Sequence, residues 1–225
     1  MPYAFVAVGV GAGNDTFSTA AINSTGANLL VACWTDALID PVLSDSYGNT
    51  WTLARSYKAW TFSSKIYYSY GTPTVGAGHT MTITGTDFYG SGQLWAFSGA
   101  DTANPLDQSN ESGAAGVTTL QPGSVTPTTA GQLVMTHVAY DAGTLATING
   151  GFASPGSGSA GSSGVYGGSA SSYLIQTTAA AANPTWTWTN GANASATIAT
   201  FKAGGGGGGA TSYPYRRTTP NLTYR

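Results

Sequence analysis

The chain has 225 residues, with seven Lys and Arg against nine Asp and Glu, so only 7% of it is charged, where an ordinary soluble domain has about 25%. That excludes coiled coils and long solvated helices, which need Glu and Lys in quantity, and nucleic-acid binders, which need a broad basic field. With 41% hydrophobic and 12% aromatic residues there is enough apolar surface for a core, and 32 glycines point to many strands joined by turns.

One cysteine, Cys33, excludes an internal disulfide framework and a Cys-cluster metal site. The opening Met-Pro-Tyr-Ala-Phe-Val has neither the basic region nor the long apolar run of a secretory signal, and no stretch approaches the roughly 18 apolar residues of a membrane span. Synthesis in a cytoplasm without membrane insertion is the expectation.

In chain order, Ala4 to Val10, Asn28 to Trp34, Thr50 to Ala54, Lys65 to Tyr70, Thr80 to Thr84 and Leu94 to Ser98 read as strands. The second half adds Leu133 to Tyr140, Ser172 to Thr177, Thr185 to Thr189 and Ala196 to Lys202. The runs are apolar, aromatic or Thr-rich, and most are followed within two residues by Gly, Asn, Asp or Pro. Strict alternation puts Met81 and Ile83 on one face, and Trp186 and Trp188 on one face, with threonines opposite. Short alternating runs with Gly-rich turns predict an all-β fold, an antiparallel β-sandwich or jelly roll.

The chain also resembles itself. Ser24-Thr-Gly-Ala-Asn-Leu-Leu-Val31 matches Thr128-Thr-Ala-Gly-Gln-Leu-Val-Met135, Thr80 to Thr84 matches Thr185 to Thr189, and Trp95-Ala-Phe97 matches Ala199-Thr-Phe201. All three fall in the same order at an offset of 104 or 105 residues, which predicts two related halves divided near residues 105–125. Two repeats are too few for a solenoid, so both halves are expected to share one core over residues 1–203.

At Gly204 the composition changes. Six glycines, Gly204 to Gly209, lose too much backbone entropy on ordering to hold a strand or helix by themselves, and they read as a linker. Residues 210–225 follow with three of the seven basic residues. The body up to residue 203 is therefore −5 and the tail +3. Tyr213, Tyr215, Arg216, Arg217, Tyr224 and Arg225 are residue types enriched at interface hot spots, and they predict an extended docking arm for an acidic neighbouring surface. The plainer reading is a solvated chain end.

Within the body, Asp45-Ser-Tyr-Gly-Asn-Thr-Trp51 is a turn feeding a strand: Asp or Ser caps, Gly48 or Asn49 supplies a positive φ, and Trp51 opens the next strand. Asp36, Asp40 and Asp45 are oxygen ligands of the kind Ca²⁺ prefers, but their spacing matches no calcium loop, and turn capping is the expectation. His79 and His137 are the two histidines, each read as a structural group beside or within a strand. Gly9-Val-Gly-Ala-Gly-Asn lacks the strand-to-helix context of a phosphate loop, and the serines around Gly156 and Gly161 lack that of a nucleophile elbow. Neither a catalytic residue nor a metal or cofactor site is expected. Tyr57, Trp60, Phe88 and Tyr89, on stretches read as loops, are the aromatic candidates for stacking on a sugar ring.

The run Asp45-Ser-Tyr-Gly-Asn-Thr-Trp-Thr-Leu-Ala, with Tyr67-Tyr68, Thr72-Pro-Thr-Val-Gly-Ala-Gly-His-Thr-Met-Thr-Ile-Thr, Trp95-Ala-Phe-Ser-Gly-Ala and Pro105-Leu-Asp-Gln-Ser-Asn, resembles a β-sandwich family. That family occurs in tailed-bacteriophage structural proteins, often labelled minor tail proteins, and in some bacterial surface proteins. Over residues 28–203 the resemblance implies a non-enzymatic role in a virion or on a cell surface, and the leading expectation is a structural subunit of a tailed-phage virion, in the tail or as a capsid decoration. Its partners would be other virion proteins and copies of itself. The alternative is a carbohydrate-binding adhesin module that contacts a host glycan.

Overall fold

Two strands buried along their whole length, Leu29–Asp36 and Gln132–Tyr140, organise the fold. The structure, a computed structural model, describes residues 1–37, 41–141, 145–154 and 168–205, without the side chains of 86–89. Among them are thirteen strands and no helix. They are β1 (Ala4–Ser18), β2 (Ile22–Asn23), β3 (Leu29–Asp36), β4 (Val42–Asp45), β5 (Thr52–Ala59), β6 (Phe62–Tyr70), β7 (Ala77–His79) and β8 (Met81–Ser98), then β9 (Leu106–Leu120), β10 (Gln132–Tyr140), β11 (Thr147–Ile148), β12 (Gly168–Gln176) and β13 (Trp186–Phe201).

All pairings are antiparallel. A curled sheet runs β1-β8-β3-β6-β5 with β4 also on β8, a second sheet runs β11-β13-β10-β12 with β9 on β13, and β2 pairs β7 in a small ribbon. The two sheets pack face to face as a β-sandwich. Side chains alternate across each strand. On β3, Leu29, Val31 and Cys33 therefore enter the core between the sheets, with Ile66, Trp95, Phe97, Leu133, Met135 and Phe201. Leu30, Ala32 and Trp34 enter a second core that the curl of the first sheet encloses with Phe17, Met81 and Ile83. The other sheet likewise has an outer core, built on Trp186, Trp188, Val138 and Tyr140. Burying an aromatic of this size contributes about 2–3 kcal/mol each. A central strand sandwiched this way has no wet face, which is why the middle of β10 reads Val-Met-Thr-His-Val-Ala rather than alternating.

The halves repeat one topology. An offset of 104 carries the β3–β8 pair Leu29↔Phe97 onto the β10–β13 pair Leu133↔Phe201. Comparable offsets carry Phe5↔Phe97 onto Leu106↔Phe201, Val42↔Thr84 onto Thr147↔Thr187, and Ile22↔His79 onto the bridge Val125↔Ala182.

Several expected elements change. Thr80 to Thr84 and Leu94 to Ser98 are the two ends of one strand, β8, and Thr185 to Thr189 and Ala196 to Lys202 lie along β13. The glycines and asparagines between them read as turns but lie inside long strands whose ladders carry register shifts. Gly92 is one reason the curl closes: a Cβ there would lie 2.7 Å from the Cys33 carbonyl oxygen and from Trp34 Cβ. The stretch Asp87 to Gly90 is backbone of β8 rather than a loop, and Tyr57 to Ala59 belong to β5, which leaves only Trp60 in the turn.

Candidate functional site

Two ends of the sandwich differ in what they carry. At one pole, Asn28 Nδ2 donates to the Ala100 carbonyl, Ala100 bridges Ala203, and the Met1 amine donates to the Gly204 carbonyl at 2.7 Å. Both ends of the described body and the linker between its halves therefore meet here, around an open cleft of about 470 Å³ lined by Met1, Asn28, Asp101 and Gly204. The amides of Asn104 and Ala103 hold the Asp101 carboxyl below its usual range. Gly204, the first residue of the expected linker, donates its N–H to the Gly99 carbonyl at 2.7 Å. Tyr213, Tyr215, Arg216, Arg217, Tyr224 and Arg225 lie outside the described residues.

At the opposite pole, β5 and β6 close through a two-residue hairpin, Trp60-Thr61, between the paired residues Ala59 and Phe62. Trp60 has φ +57° and its side chain is exposed, at 58% relative accessibility. A positive φ at the first loop residue alone is the pattern of a type II′ turn, which normally takes glycine there. Tyr57 is half-buried, packed close over Gly113 of β9. The backbone of Phe88 and Tyr89 lies in β8, and their side chains are outside the description. The nine residues of β6 separate the Trp60 hairpin from Tyr70, which pairs with Leu29 beside the chain ends, a distance of about 30 Å.

Both histidines are fully buried, each with its Nδ1 within hydrogen-bond distance of a serine hydroxyl. His79 Nδ1 is 2.8 Å from Ser24 Oγ, and its Nε2 is 3.8 Å from Asp45 Oδ2. Asp45 accepts the Tyr47 and Asn49 amides and the Trp51 indole N–H. Burial works against its ionisation, but the adjacent His79 and those amides more than offset it and bring the pKa down to about 2. The residue types are those of a nucleophile–base–acid relay, but neither Ser24 nor His79 has accessible surface and Tyr47 lies edge-on over the His79 ring. Ser24 Oγ is also engaged with the Gly76 backbone. What this cluster does is pin the Asp45–Trp51 turn and β7 to the start of the chain. Gly48, at φ +70°, supplies the expected left-handed residue of the turn.

His137 lies between the sheets, its Nδ1 2.9 Å from Ser64 Oγ, which in turn is 2.8 Å from Thr197 Oγ1. Burial lowers its pKa to about 3. Nearby in the same layer Trp95 donates to Ser171, Ser171 donates to Gln93, and Cys33 is fully buried with its thiol pKa pushed up by desolvation.

Asp36, expected as a turn cap, accepts Lys65 Nζ at 2.7 Å and the Ser63 hydroxyl, and that ammonium lies over the Trp34 ring, 5.8 Å from its centroid. Asp40 lies outside the described residues, and no cluster of three His, Cys, Asp or Glu side chains occurs among those described. The Ser24–His79–Asp45 convergence was not read from the sequence, since 55 and 34 residues separate His79 from its neighbours. A lone Lys in an apolar strand was the available signal for the Asp36 pair.

No protein-family model matches the chain, and no curated protein or solved structure does either.

Proposed function

We propose that this protein is a non-enzymatic structural subunit of a tailed-phage virion, held in its particle through the pole where Met1 meets Gly204 and presenting the Trp60 hairpin at the other. The observation that carries this reading is the opposition of the two poles. The described body ends beside Met1, at Gly204 and Gly205, about 30 Å from the hairpin, and the basic, Tyr-rich segment follows it in sequence. The low charge of the body and the resemblance of residues 28–203 to phage structural proteins point the same way. A sandwich with so little charge to keep copies apart suits a packed assembly.

Removing residues 206–225, which leaves Gly204 and its bonds in place, is expected to yield a folded, soluble protein that no longer incorporates into particles. Incorporation at the full-length level would overturn the docking role of the arm.

Trp60 favours a second, compatible reading, contact with a host glycan. An exposed indole on a backbone conformation that disfavours it sacrifices stability in two ways at one residue. A planar ring presented at a tip is suited to stacking on a sugar. The full chain should bind on a glycan array and lose that binding in Trp60→Ala, whereas equal binding by both proteins would remove the hairpin from the reading.

A further inference from the structure

We infer that the face through which the two halves meet is a docking surface for a second copy of this chain, engaged by reciprocal exchange of the second half. The inference is independent of the virion reading and would survive its failure.

The strand accounting comes first. Among the described residues, strands β1 to β8 pair only with one another, and β9 to β13 pair only with one another. Each half also encloses an outer core of its own. Among the described residues, backbone-to-backbone hydrogen bonds between the halves and their linker cluster at the pole of the chain ends, as in Asp101 N–H to Lys202 and Gly204 N–H to Gly99.

The contacts between halves are reciprocal. Tyr68 of the first half packs against Phe201 of the second with ring centroids 5.4 Å apart, and Tyr173 of the second packs against Phe97 of the first at 5.1 Å. The repeat offset exchanges these two pairs. Equivalent positions Leu29 and Leu133, Val31 and Met135, and Phe5 and Leu106 all enter the same core. A surface where i meets j and the equivalent of j meets the equivalent of i is the isologous interface of a two-fold dimer, here within one chain.

That face fits a second half better than another first half. Trp95 and Cys33 of the first half stand where the second has Ala199 and His137, so pairing two first halves would duplicate the bulk of Trp95 and lose the Ser64–His137–Thr197 bonds. The matching partner is therefore supplied by this chain, either its own copy or a neighbour's.

Only the seven residues 99–105 connect the halves, and they lie at the same pole as both ends of the body. The halves can therefore part without unthreading, and exchange keeps the interface and alters only the linker path. A short linker gives the intramolecular partner an effective concentration on the order of mM. The closed monomer accordingly dominates in dilute solution, and exchange competes where copies are crowded.

The test uses the full chain with a protease site inserted between Thr102 and Ala103, unfolded in urea and refolded at about 1 μM and about 1 mM, concentrations that bracket the linker's effect. Light scattering after size exclusion is expected to show the 22.7 kDa monomer at the low concentration and a dimer at the high one. Cutting the linker of an exchanged dimer should release nicked particles of monomer size. Monomer alone at both concentrations, or a dimer whose size survives cutting, would overturn the proposal. As a second measurement, nicked monomers with and without ¹⁵N label are unfolded together and refolded. Native mass spectrometry should find labelled first halves paired with unlabelled second halves in statistical proportion, and halves that fail to re-pair would equally refute it.

Discussion

His137 couples the stability of the sandwich to pH. Its ring has no accessible surface, its Nδ1 faces the Ser64 hydroxyl at 2.9 Å, and burial holds its pKa at about 3 against the ordinary 6.5. The unfolded chain takes up a proton as pH falls through 6.5, while the folded chain does not until about 3. The unfolded state therefore binds more protons between those values, and stability present above 6.5 is lost as the pH drops. Each pH unit is worth about 1.4 kcal/mol, so descending from pH 6.5 to 4.5 should remove about 2 kcal/mol. That is a substantial part of a typical 5–15 kcal/mol. The assay is urea unfolding followed by the fluorescence of the buried tryptophans, repeated from pH 7.5 to 4.5. Asp45, with its pKa lowered to about 2, and Asp107, also lowered, lose their contributions at lower pH and leave this window to histidine. In His137→Gln the slope should flatten by about one proton, whatever the variant's absolute stability. Equal slopes in the two proteins, or a wild-type stability that does not change across the window, would refute the reasoning.

Three further outcomes follow from the same geometry. Asp45→Ala leaves the Tyr47 and Asn49 amides and the Trp51 indole without their acceptor. It should cost about 2 kcal/mol in urea unfolding, and a change below about 0.5 kcal/mol would deny the turn this role. Gly92→Ala forces a Cβ against Cys33 and Trp34 and should cost about 2–3 kcal/mol, visible as a lowered Tm. Trp60→Gly relieves the positive φ and should leave the protein as stable or up to about 1 kcal/mol more so. A marked loss of stability would mean that the indole serves the fold rather than a ligand.

Much of the architecture was legible because it rests on local pattern. The alternation at Met81 and Ile83 and at Trp186 and Trp188 reports which face each strand buries, and all four side chains are buried. The offset near 104 residues, seen in three short matches, reappears as matched strand registers across the two halves. The turn at Asp45–Trp51 contains its own cap and its own glycine. By contrast β9 was missed: Asp-Gln-Ser-Asn-Glu-Ser-Gly has no apolar alternation and becomes a strand only because β13 supplies its ladder. The same long-range pairing turned the glycine-punctuated middles of β8 and β13 into continuous strands.

For the candidate sites the division falls in the same place. The aromatic and basic residues could be nominated from their types, but whether Trp60 projects or packs depends on the φ that closing β5 onto β6 imposes. Ser24, His79 and Asp45 meet only because β2, β7 and the end of β4 converge. Lys65 and Asp36 meet because β3 and β6 are neighbours in register. By itself the sequence determined the all-β class, the sparse charge and the change of composition at the polyglycine, since each depends on composition or on spacing along one segment. Only the tertiary structure decided that the halves face each other reciprocally, that both histidines are sealed, and that the Met1–Gly204 contact and the Trp60 hairpin occupy opposite poles. Those depend on contacts between residues distant in the chain, which no local pattern encodes.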